Sequence, residues 1–463
     1  RRRARDLAAP GYTATIDVAR DTTVVVVATL DQATAVTHRL AAAGLELLRA
    51  ESAGRSAALP DTTRPLPPGT AAQLRGRYGS GAGSVLLEEY GGRLYLSRSA
   101  GGIRAEIRQA ADGELVTDDV AGAGIRLRAL PGGRLVVGEA TLARRPDRPP
   151  AAPGQDVAAL IAEYGPQDAP LYLLEDDGRL VALVQRVQAY PLRRAGRAGY
   201  VLTGPGSFAG TDLAVLPADG SARAVVLGRD TLVRRLPPPG AGEVSFRIQP
   251  VRPIAELRQE APSARPPVER GGLRAPDLVE LRSLDGSIRY DIRYATPNNF
   301  MGTPMYTSAH AFLQRPAAEA LARVSAALRP LGYGLLVHDA YRPWYVTWLF
   351  WEATPPAQHD FVADPAHGSR HNRGCAVDLE LYDLATGKPL PETGGYDEFS
   401  ERSFARYPGG SARQRWDRDL LRRAMEAQGF TVLDAEWWHF DYKDWAQYPI
   451  LNVSFEELAQ ERR

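Results

Sequence analysis

The sequence predicts a multidomain protein in which two small all-β modules precede an α+β domain at the C-terminus. Three observations lead to this fold class. A sequence repeat lies between residues 70 and 237, proline-rich segments divide the chain, and six of the seven histidines lie beyond residue 277. The length of 463 residues agrees with it, because domains of about 100–200 residues are typical.

Residues 10–53 predict two strands and a helix. GYTATIDV and TVVVVATL flank a turn at 19–21, and Asp31 is placed to cap a helix that ends near Ala50. This arrangement resembles the last strand–strand–helix of a serine β-lactamase-like or penicillin-binding domain. Residues 1–59 are therefore interpreted as a remnant of such a domain. The segment carries no catalytic residue, so an ordinary β-hairpin followed by a helix is the alternative.

Residues 70–147 and 156–237 are interpreted as two copies of one β-rich module. LRGRYG at 74–79 matches LIAEYG at 160–165, and TLARR at 141–145 matches TLVRR at 231–235. Between them, LLEEYGGRL at 86–94 matches LLEDDGRL at 173–180. Short alternating strands and glycine turns favour small sandwiches or barrels. Neither copy contains histidine or cysteine, which favours structural or binding modules.

Composition excludes several classes of protein. The 56 basic and 55 acidic residues give a net charge of +1, which removes the electrostatic case for nucleic acid or an anionic membrane as partner. No run of about 18 apolar residues is present, so no membrane span is predicted. The lone cysteine, Cys375, excludes an internal disulfide. Proline-rich segments at 60–68, 145–153, 236–241 and 262–276 are interpreted as linkers.

The chain opens with three arginines and no initiator methionine, so we expect the true N-terminus to be missing. The sequence does not decide whether the protein is in the cytoplasm or in the periplasm or cell envelope. Serine acyl transfer of the penicillin-binding kind is excluded, because neither Lys388 nor Lys443 is preceded by a serine at the spacing S-x-x-K. No phosphate-binding loop of the form G-x-x-x-x-G-K-[ST] is present.

Residues 277–463 predict alternating helices and strands. Helices are expected at 317–328 and 416–428, the second ending at Gly429, and strands at 334–340, 375–383 and 435–442. Most of the histidines lie here, and so the chemistry is expected in this α+β domain.

Two short segments offer ligands for a metal ion. Catalytic zinc usually has three protein ligands and an open position for water. SRHNRGCAVD at 369–378 provides His371 and Asp378, and EWWHF at 436–440 provides His439, with Glu436 placed to move a proton. Each motif alone is weak evidence for a metal site. The alternatives are an exposed turn for His371, a cap or arginine pair for Asp378, and a hydrogen-bonded core position for His439.

The joint pattern is more specific. S-x-H-x-x-G-x-A-x-D at 369–378 is followed by EWWHF and preceded by DAYRPW at 339–344. With YATPNNFMGTPMY at 294–306 and YDEFSERS at 396–403, these motifs resemble the zinc D-alanyl-D-alanine dipeptidases. The resemblance runs from near Leu278 to the end of the chain in the family's order. It implies that the α+β domain is a zinc peptidase domain.

The resemblance also implies roles for individual residues. It makes His371, Asp378 and His439 the ligands of one zinc ion per chain. It makes Glu436 the general base and acid, and Arg342 the group that stabilises the oxyanion. A guanidinium suits that task because it is always charged and presents a planar fork of donors.

Other assignments follow from the same resemblance more loosely. Ser369 and Asp397 are expected to contact the termini of the dipeptide. Asp339 is expected either to orient Arg342 or to act as a structural cap.

Three further residues near the motifs were considered for the site. Trp437 and Trp438 either wall the pocket or pack the core. Cys375 could offer a thiolate to zinc, but on a strand it would point away from Asp378, so we interpret it as a packing residue.

The predicted function is zinc-dependent hydrolysis of D-alanyl-D-alanine to two D-alanines, in peptidoglycan precursor turnover or glycopeptide resistance. A small D,D-dipeptide is the expected substrate, and the β modules are candidate binders of peptidoglycan. One alternative is a D,D-carboxypeptidase or endopeptidase that acts on intact peptidoglycan, since related zinc enzymes share the same ligand scheme. Another is a non-catalytic cell-wall-binding protein, against which the intact Glu436 argues.

Overall fold

The protein divides into two compact units, Arg1–Pro149 with Pro153–Arg235, and Pro150–Ala152 with Leu236–Arg463. The computed structural model describes residues 2–9, 12–19, 22–28, 34–56, 62–217, 222–235 and 246–460. The cap predicted at Asp31 and the linker predicted at 236–241 lie outside these residues. Among the described helices, none is both long enough and apolar enough to cross a bilayer. The division into four domains stays a prediction.

The first unit begins with a three-stranded antiparallel sheet covered by one helix. Its elements are β1 (Arg2–Ala9), β2 (Tyr12–Ala19), β3 (Thr22–Ala28) and α1 (Thr34–Ser52). The sequence analysis predicted β2, β3 and α1 but not β1, whose sequence RRARDLAA lacks the β-branched residues typical of strands. Helix α1 packs on β2 and β3, and a buried hydrogen bond of 2.8 Å joins Thr15 Oγ1 to Thr37 Oγ1.

A short helix and an eight-stranded antiparallel sheet follow, with the sheet order β12-β11-β10-β9-β8-β6-β5-β4. The elements are α2 (Thr70–Leu74), β4 (Gly76–Tyr78), β5 (Val85–Tyr90), β6 (Arg93–Arg98), β8 (Ala105–Gln109), β9 (Leu115–Asp118), β10 (Ala123–Leu130), β11 (Arg134–Val137) and β12 (Ala140–Ala143). A further two-residue strand, β7 (Gly102–Ile103), lies outside this sheet.

A second short helix and eight-stranded meander repeat this plan in the order β13 to β20. The elements are α3 (Gln155–Ala158), β13 (Ala162–Tyr164), β14 (Leu171–Asp176), β15 (Arg179–Val184), β16 (Gln188–Arg194), β17 (Gly199–Leu202), β18 (Asp212–Leu216), β19 (Ala224–Leu227) and β20 (Asp230–Val233).

Each meander closes into a barrel, because backbone hydrogen bonds join its first strand to the end of its last. These bonds, with N···O distances of 2.7–2.8 Å, link Gly79 to Ala143 and Arg145 to Arg77, and in the second barrel Gly165 to Val233 and Arg235 to Glu163. Closure leaves no long open sheet edge. Buried leucines, valines and tyrosines fill both interiors. The sequence matches at 74–79 and 160–165, and at 141–145 and 231–235, fall at this seam in both barrels.

The second unit is α+β, as the fold class predicts, and is built on a mixed five-stranded sheet with the order β22-β24-β25-β27-β26. Strands β22 and β24 are parallel, and the other pairs are antiparallel. The strands are β21 (Leu278–Glu280), β22 (Arg289–Tyr290), β23 (Phe312–Gln314), β24 (Tyr333–Asp339), β25 (Ala376–Asp383), β26 (Phe430–Leu433) and β27 (Glu436–Tyr442). The helices are α4 (Ile254–Glu260), α5 (Arg315–Leu328), α6 (Trp344–Ala353), α7 (Ala412–Glu426) and α8 (Phe455–Gln460).

The five elements predicted in this unit are present with shifted ends. Helix α7 begins at Ala412, four residues before the predicted start, because Ser411 and Gln414 form a capping box. Helix α6 was not predicted. Its sequence WYVTWLFWEA is apolar on nearly every side, so it lacks the periodicity of a surface helix, and most of its residues are buried.

Candidate metal centre and active site

Three adjacent strands align polar residues across the sheet. Asp339 on β24 lies opposite Asp378 on β25, and Asp378 lies opposite His439 on β27. Directly opposed residues of antiparallel neighbours project from the same face of a sheet. The register therefore brings together side chains that are far apart in the sequence.

His371 joins this row from the turn that precedes β25. A short 3₁₀ turn, His371–Arg373, is followed by Gly374 in the left-handed conformation (φ 64°). The left-handed backbone favours glycine, and a Cβ atom here would lie 2.5 Å from Leu278 Cδ2, so the leucine side chain would also have to move. This turn directs the His371 ring back over the strand that carries Asp378.

The three predicted ligands meet in one buried cluster. His371 Nε2 lies 3.1 Å from His439 Nδ1 and 3.3 Å from Asp378 Oδ1, and His439 Nδ1 lies 3.1 Å from Asp378 Oδ1. All three side chains are buried. Burial would raise the pKa of Asp378, but the positive charges of His371 and His439 in their protonated form outweigh it and hold that pKa below its usual value.

Hydrogen-bond partners assign the protons of the two imidazoles. His371 Nδ1 lies 2.6 Å from the carbonyl oxygen of Ala340, and His439 Nε2 lies 2.9 Å from Asp441 Oδ1. Because these oxygens only accept, the ring protons are assigned there, and the other two ring nitrogens keep their lone pairs. A carboxylate or carbonyl behind a ligating histidine is typical of metal sites.

Asp378 completes the donor set. Its Oδ2 accepts a hydrogen bond of 3.0 Å from the hydroxyl of Tyr396, while its buried Oδ1 has no hydrogen-bond partner among the described residues. With both imidazoles neutral, three lone-pair atoms converge without a proton between them, and a cation among them would stabilise that arrangement. Two imidazoles and one carboxylate are ligands that zinc accepts.

Glu436 lies beside this cluster, with its Oε2 3.6 Å from His439 Nδ1. In a regular strand, residues three apart would project from opposite faces. Strand β27 is irregular here, because Val432 pairs with Phe440 whereas Leu433 pairs with Glu436. The bulge brings Glu436 and His439 to the same site. Burial raises the pKa of Glu436 above its usual value, while its side chain keeps 26% of its surface exposed.

Arg342 is buried and held by Asp339. Its Nε and Nη2 both donate to Asp339 Oδ2, at 2.9 and 2.7 Å. The other carboxylate oxygen of Asp339 accepts from the hydroxyl of Tyr306 at 2.7 Å and from the backbone N–H of Ala340. The guanidinium carbon also lies 4.9 Å from the ring centre of Phe350. Asp339 therefore makes both the orienting contact and a local backbone cap.

Ser369 and Asp397 are both buried in the same unit. Ser369 Oγ accepts from the backbone N–H of His371 at 3.2 Å. Asp397 has a left-handed backbone (φ 57°), and its Oδ2 accepts from the hydroxyl of Tyr294 at 2.9 Å. Burial, and then the charge of Asp378, raise the pKa of Asp397 well above its usual value. Both predicted substrate residues are thus near the ligands, and their roles stay predictions.

The remaining candidates pack rather than ligate. Cys375 is fully buried and outside the ligand cluster, and burial raises the pKa of its thiol to about 12. Trp437 and Trp438 are also buried, with the ring of Trp438 set edge-on to Tyr396 at 5.5 Å.

Sequence reasoning missed four residues that hold predicted site residues in place. Tyr396 and Asp441 contact the predicted ligands Asp378 and His439. Tyr294 contacts Asp397, and Tyr306 contacts Asp339. Asp441 could have been found, since a carboxylate behind a ligating histidine is a general rule and Asp441 lies two residues after His439. Tyr396 opens the YDEFSERS segment, but nothing in that segment indicates which carboxylate its hydroxyl reaches. His338 was also passed over. Its side chain is fully buried. Its ring centre lies 4.8 Å from that of Tyr396, and its Nε2 lies 3.3 Å from Glu380 Oε1.

Comparison with known proteins gives matches over the second unit. Residues 274–459 match the Peptidase M15 family model, described as D-ala-D-ala dipeptidase. A D-alanyl-D-alanine dipeptidase of Escherichia coli K12 is 35% identical over 179 residues, which is 39% of this chain and 91% of that protein. The chain belongs to the D-alanyl-D-alanine dipeptidase family.

Two further relatives with the same name support this membership. The protein of Enterococcus faecium is 31% identical over 175 residues, covering 34% of this chain and 87% of its own length. The protein of Enterococcus faecalis V583 is 33% identical over 186 residues, which is 36% of this chain and 92% of that protein. A solved structure of SurE with D-Leu aligns with a TM-score of only 0.15, which is too low for any statement about fold. The second unit is therefore a peptidase of this dipeptidase family, and the family model matches from residue 274 onward.

Proposed function

We propose that the protein is a zinc-dependent hydrolase that cleaves D-alanyl-D-alanine into two D-alanines. The observation that carries the proposal is the buried cluster of His371, Asp378 and His439, whose lone pairs converge beside Glu436. Zinc bound by these three side chains would supply a Lewis acid that polarises the scissile carbonyl and acidifies a water molecule.

Glu436 is proposed to move the proton. Its carboxylate is close to the ligands and a quarter exposed, so it can take a proton from the attacking water and deliver it to the departing amine. A raised pKa suits a group that must alternate between base and acid near neutral pH.

Arg342 is proposed to stabilise the negative charge that develops on the carbonyl oxygen. Asp339 fixes the guanidinium through Nε and Nη2, and Nη1 is not part of that contact. A donor already fixed before the reaction stabilises the transition state without a reorganisation cost.

Two buried groups are proposed to select a free dipeptide. The carboxylate of Asp397, held by Tyr294, suits the ammonium of the substrate, and the hydroxyl of Ser369 suits its carboxylate. A longer peptide ending in D-Ala-D-Ala has no ammonium at this point, so it leaves Asp397 with the hydroxyl of Tyr294 and no cationic partner. In a cell, such an activity would deplete the dipeptide used for peptidoglycan precursors or recycle D-alanine.

Substrate selection tests the proposal. Purified full-length protein with added zinc should release D-alanine from D-Ala-D-Ala and not from N-acetyl-D-Ala-D-Ala, L-Ala-L-Ala or a muramyl pentapeptide. Release from the pentapeptide at a comparable kcat/KM would instead make the protein a D,D-carboxypeptidase. Binding to peptidoglycan with no turnover of any D,D-peptide would make it a cell-wall-binding protein.

A further inference from the structure

Residues 246–273 precede the matched family region, yet they pack on the peptidase. The N–H of Ile248 donates to Phe300 O at 3.0 Å, and that of Val251 donates to Ala353 O at 2.9 Å. Leu257 on α4 is fully buried, and the ring centre of Phe246 lies 4.9 Å from that of Phe399. The proline-rich stretch 262–276, interpreted from sequence as a linker, thus belongs to a segment that is folded onto this unit.

We propose that this segment is part of the metal-binding apparatus, with Glu269 as a positioning residue that holds the ligand turn through Arg373. The inference rests on the proposed zinc site. It adds a residue outside the matched region to the groups on which that site depends.

Glu269 makes two contacts that tie separate parts of the peptidase together. Its Oε1 accepts from Arg373 Nη2 at 2.7 Å, and its Oε2 accepts from the backbone N–H of Ile450 at 2.7 Å. Arg373 is buried, with its side chain only 10% exposed, and its Nη1 donates to Tyr448 O. Glu269 thus balances a buried positive charge and fixes the backbone at Ile450.

Arg373 lies in the turn His371–Arg373 that delivers a metal ligand. The carbonyl oxygen of Arg373 accepts from Gln314 Nε2 at 2.9 Å, and that of Asn372 accepts from the N–H of Leu451 at 2.9 Å. The turn is therefore held between the strand that ends at Gln314 and the segment around Ile450. Glu269 links the arginine of the turn to that segment a second time, beside the direct bond from Arg373 Nη1 to Tyr448 O.

Loss of Glu269 would leave the Arg373 guanidinium buried without its carboxylate, so the arginine and the turn must shift toward water. The His371 ring would then lose its fixed position relative to Asp378 and His439. Groups that orient metal ligands from behind typically change metal affinity about 10–100-fold when they are removed.

The test is zinc affinity, which is independent of any substrate. The dissociation constant of full-length protein for zinc is measured by competition with a chromophoric chelator. We expect Glu269→Ala to raise this constant about 10–100-fold and Glu269→Gln to raise it less. The matched control is Glu260→Ala, because Glu260 lies on the same segment and pairs with Arg252, away from the turn. The control should bind zinc as the wild type does.

Arg373→Met makes the test specific to the proposed route. If Glu269 acts through Arg373, adding Glu269→Ala to Arg373→Met should change the dissociation constant less than about twofold. This comparison is made between two folded variants even if Glu269→Ala alone fails to fold. An unchanged dissociation constant in Glu269→Ala, or an equal loss in both backgrounds, would overturn the inference. A wild type that binds no zinc would overturn the proposed function as well, which distinguishes the two failures.

Discussion

Asp378 and His439 face each other across neighbouring antiparallel strands, with Asp378 Oδ1 and His439 Nδ1 3.1 Å apart. When His439 is neutral and its ring proton lies on the nitrogen that faces Asp441, neither of these two atoms carries a proton. Their approach is best explained by a cation that both would bind. Strand register therefore brings together the candidate metal ligands on which the proposed function depends.

Substitution of Glu436 should separate chemistry from metal binding. Glu436→Gln removes the proton carrier but none of the ligands, so we expect kcat to fall about 10²–10⁴-fold with one zinc still bound. His439→Ala should lose zinc and activity together. Zinc content by atomic emission and D-alanine release check both, and wild-type rates in Glu436→Gln would contradict the mechanism.

Asp441 should matter although it is not a ligand. Its Oδ1 accepts the ring proton of His439 at 2.9 Å, so Asp441→Ala frees the imidazole to rotate or change tautomer. We expect zinc affinity to fall about 10–100-fold. Asp444→Ala is the control, because that carboxylate pairs with Arg274 instead. Equal zinc affinity in the two variants would show that Asp441 does not orient the ligand.

Arg342 should act on the transition state more than on substrate binding. We expect Arg342→Ala to lower kcat about 10²–10³-fold with a smaller rise in KM. Arg342→Lys should restore little of the lost kcat, because an ammonium cannot make the two hydrogen bonds that Nε and Nη2 donate to Asp339 Oδ2. A variant that raises KM and spares kcat would instead make Arg342 a binder of the ground state.

Gly374 should be essential for the ligand turn. Gly374→Ala places a Cβ 2.5 Å from Leu278 Cδ2 on a left-handed backbone, so we expect a loss of about 1–3 kcal/mol in the free energy of unfolding, with weaker zinc binding. Gly286→Ala is the control, because a Cβ there meets nothing within 4 Å. Urea denaturation measures both, and equal stability of the two variants would contradict the role of the turn.

The sequence was sufficient to predict the residues whose chemistry is rare. His371, Asp378 and His439 belong to short motifs, and the structure brings all three together. Tyr396 and Tyr306 were missed, because a hydroxyl that holds a carboxylate of the site is defined by tertiary contact and not by spacing. Glu269 was missed for a related reason. It lies in a proline-rich stretch that resembles a linker, and its buried partner is more than a hundred residues away.

Some elements of the fold could be predicted from the sequence, and others could not. Strand β24 was predicted because GLLVHDA is a short apolar run. Helix α6 was not, because a helix buried on most sides has no polar face to mark its period.

The most direct test of the central claim is D-alanine release from D-Ala-D-Ala by the purified protein, before chelation, after chelation and after zinc is restored. We predict release by the untreated protein, loss of release with the chelator and recovery when one zinc ion per chain is bound again. Release that is unaffected by complete removal of the metal, or no release from folded protein with zinc bound, would contradict the account.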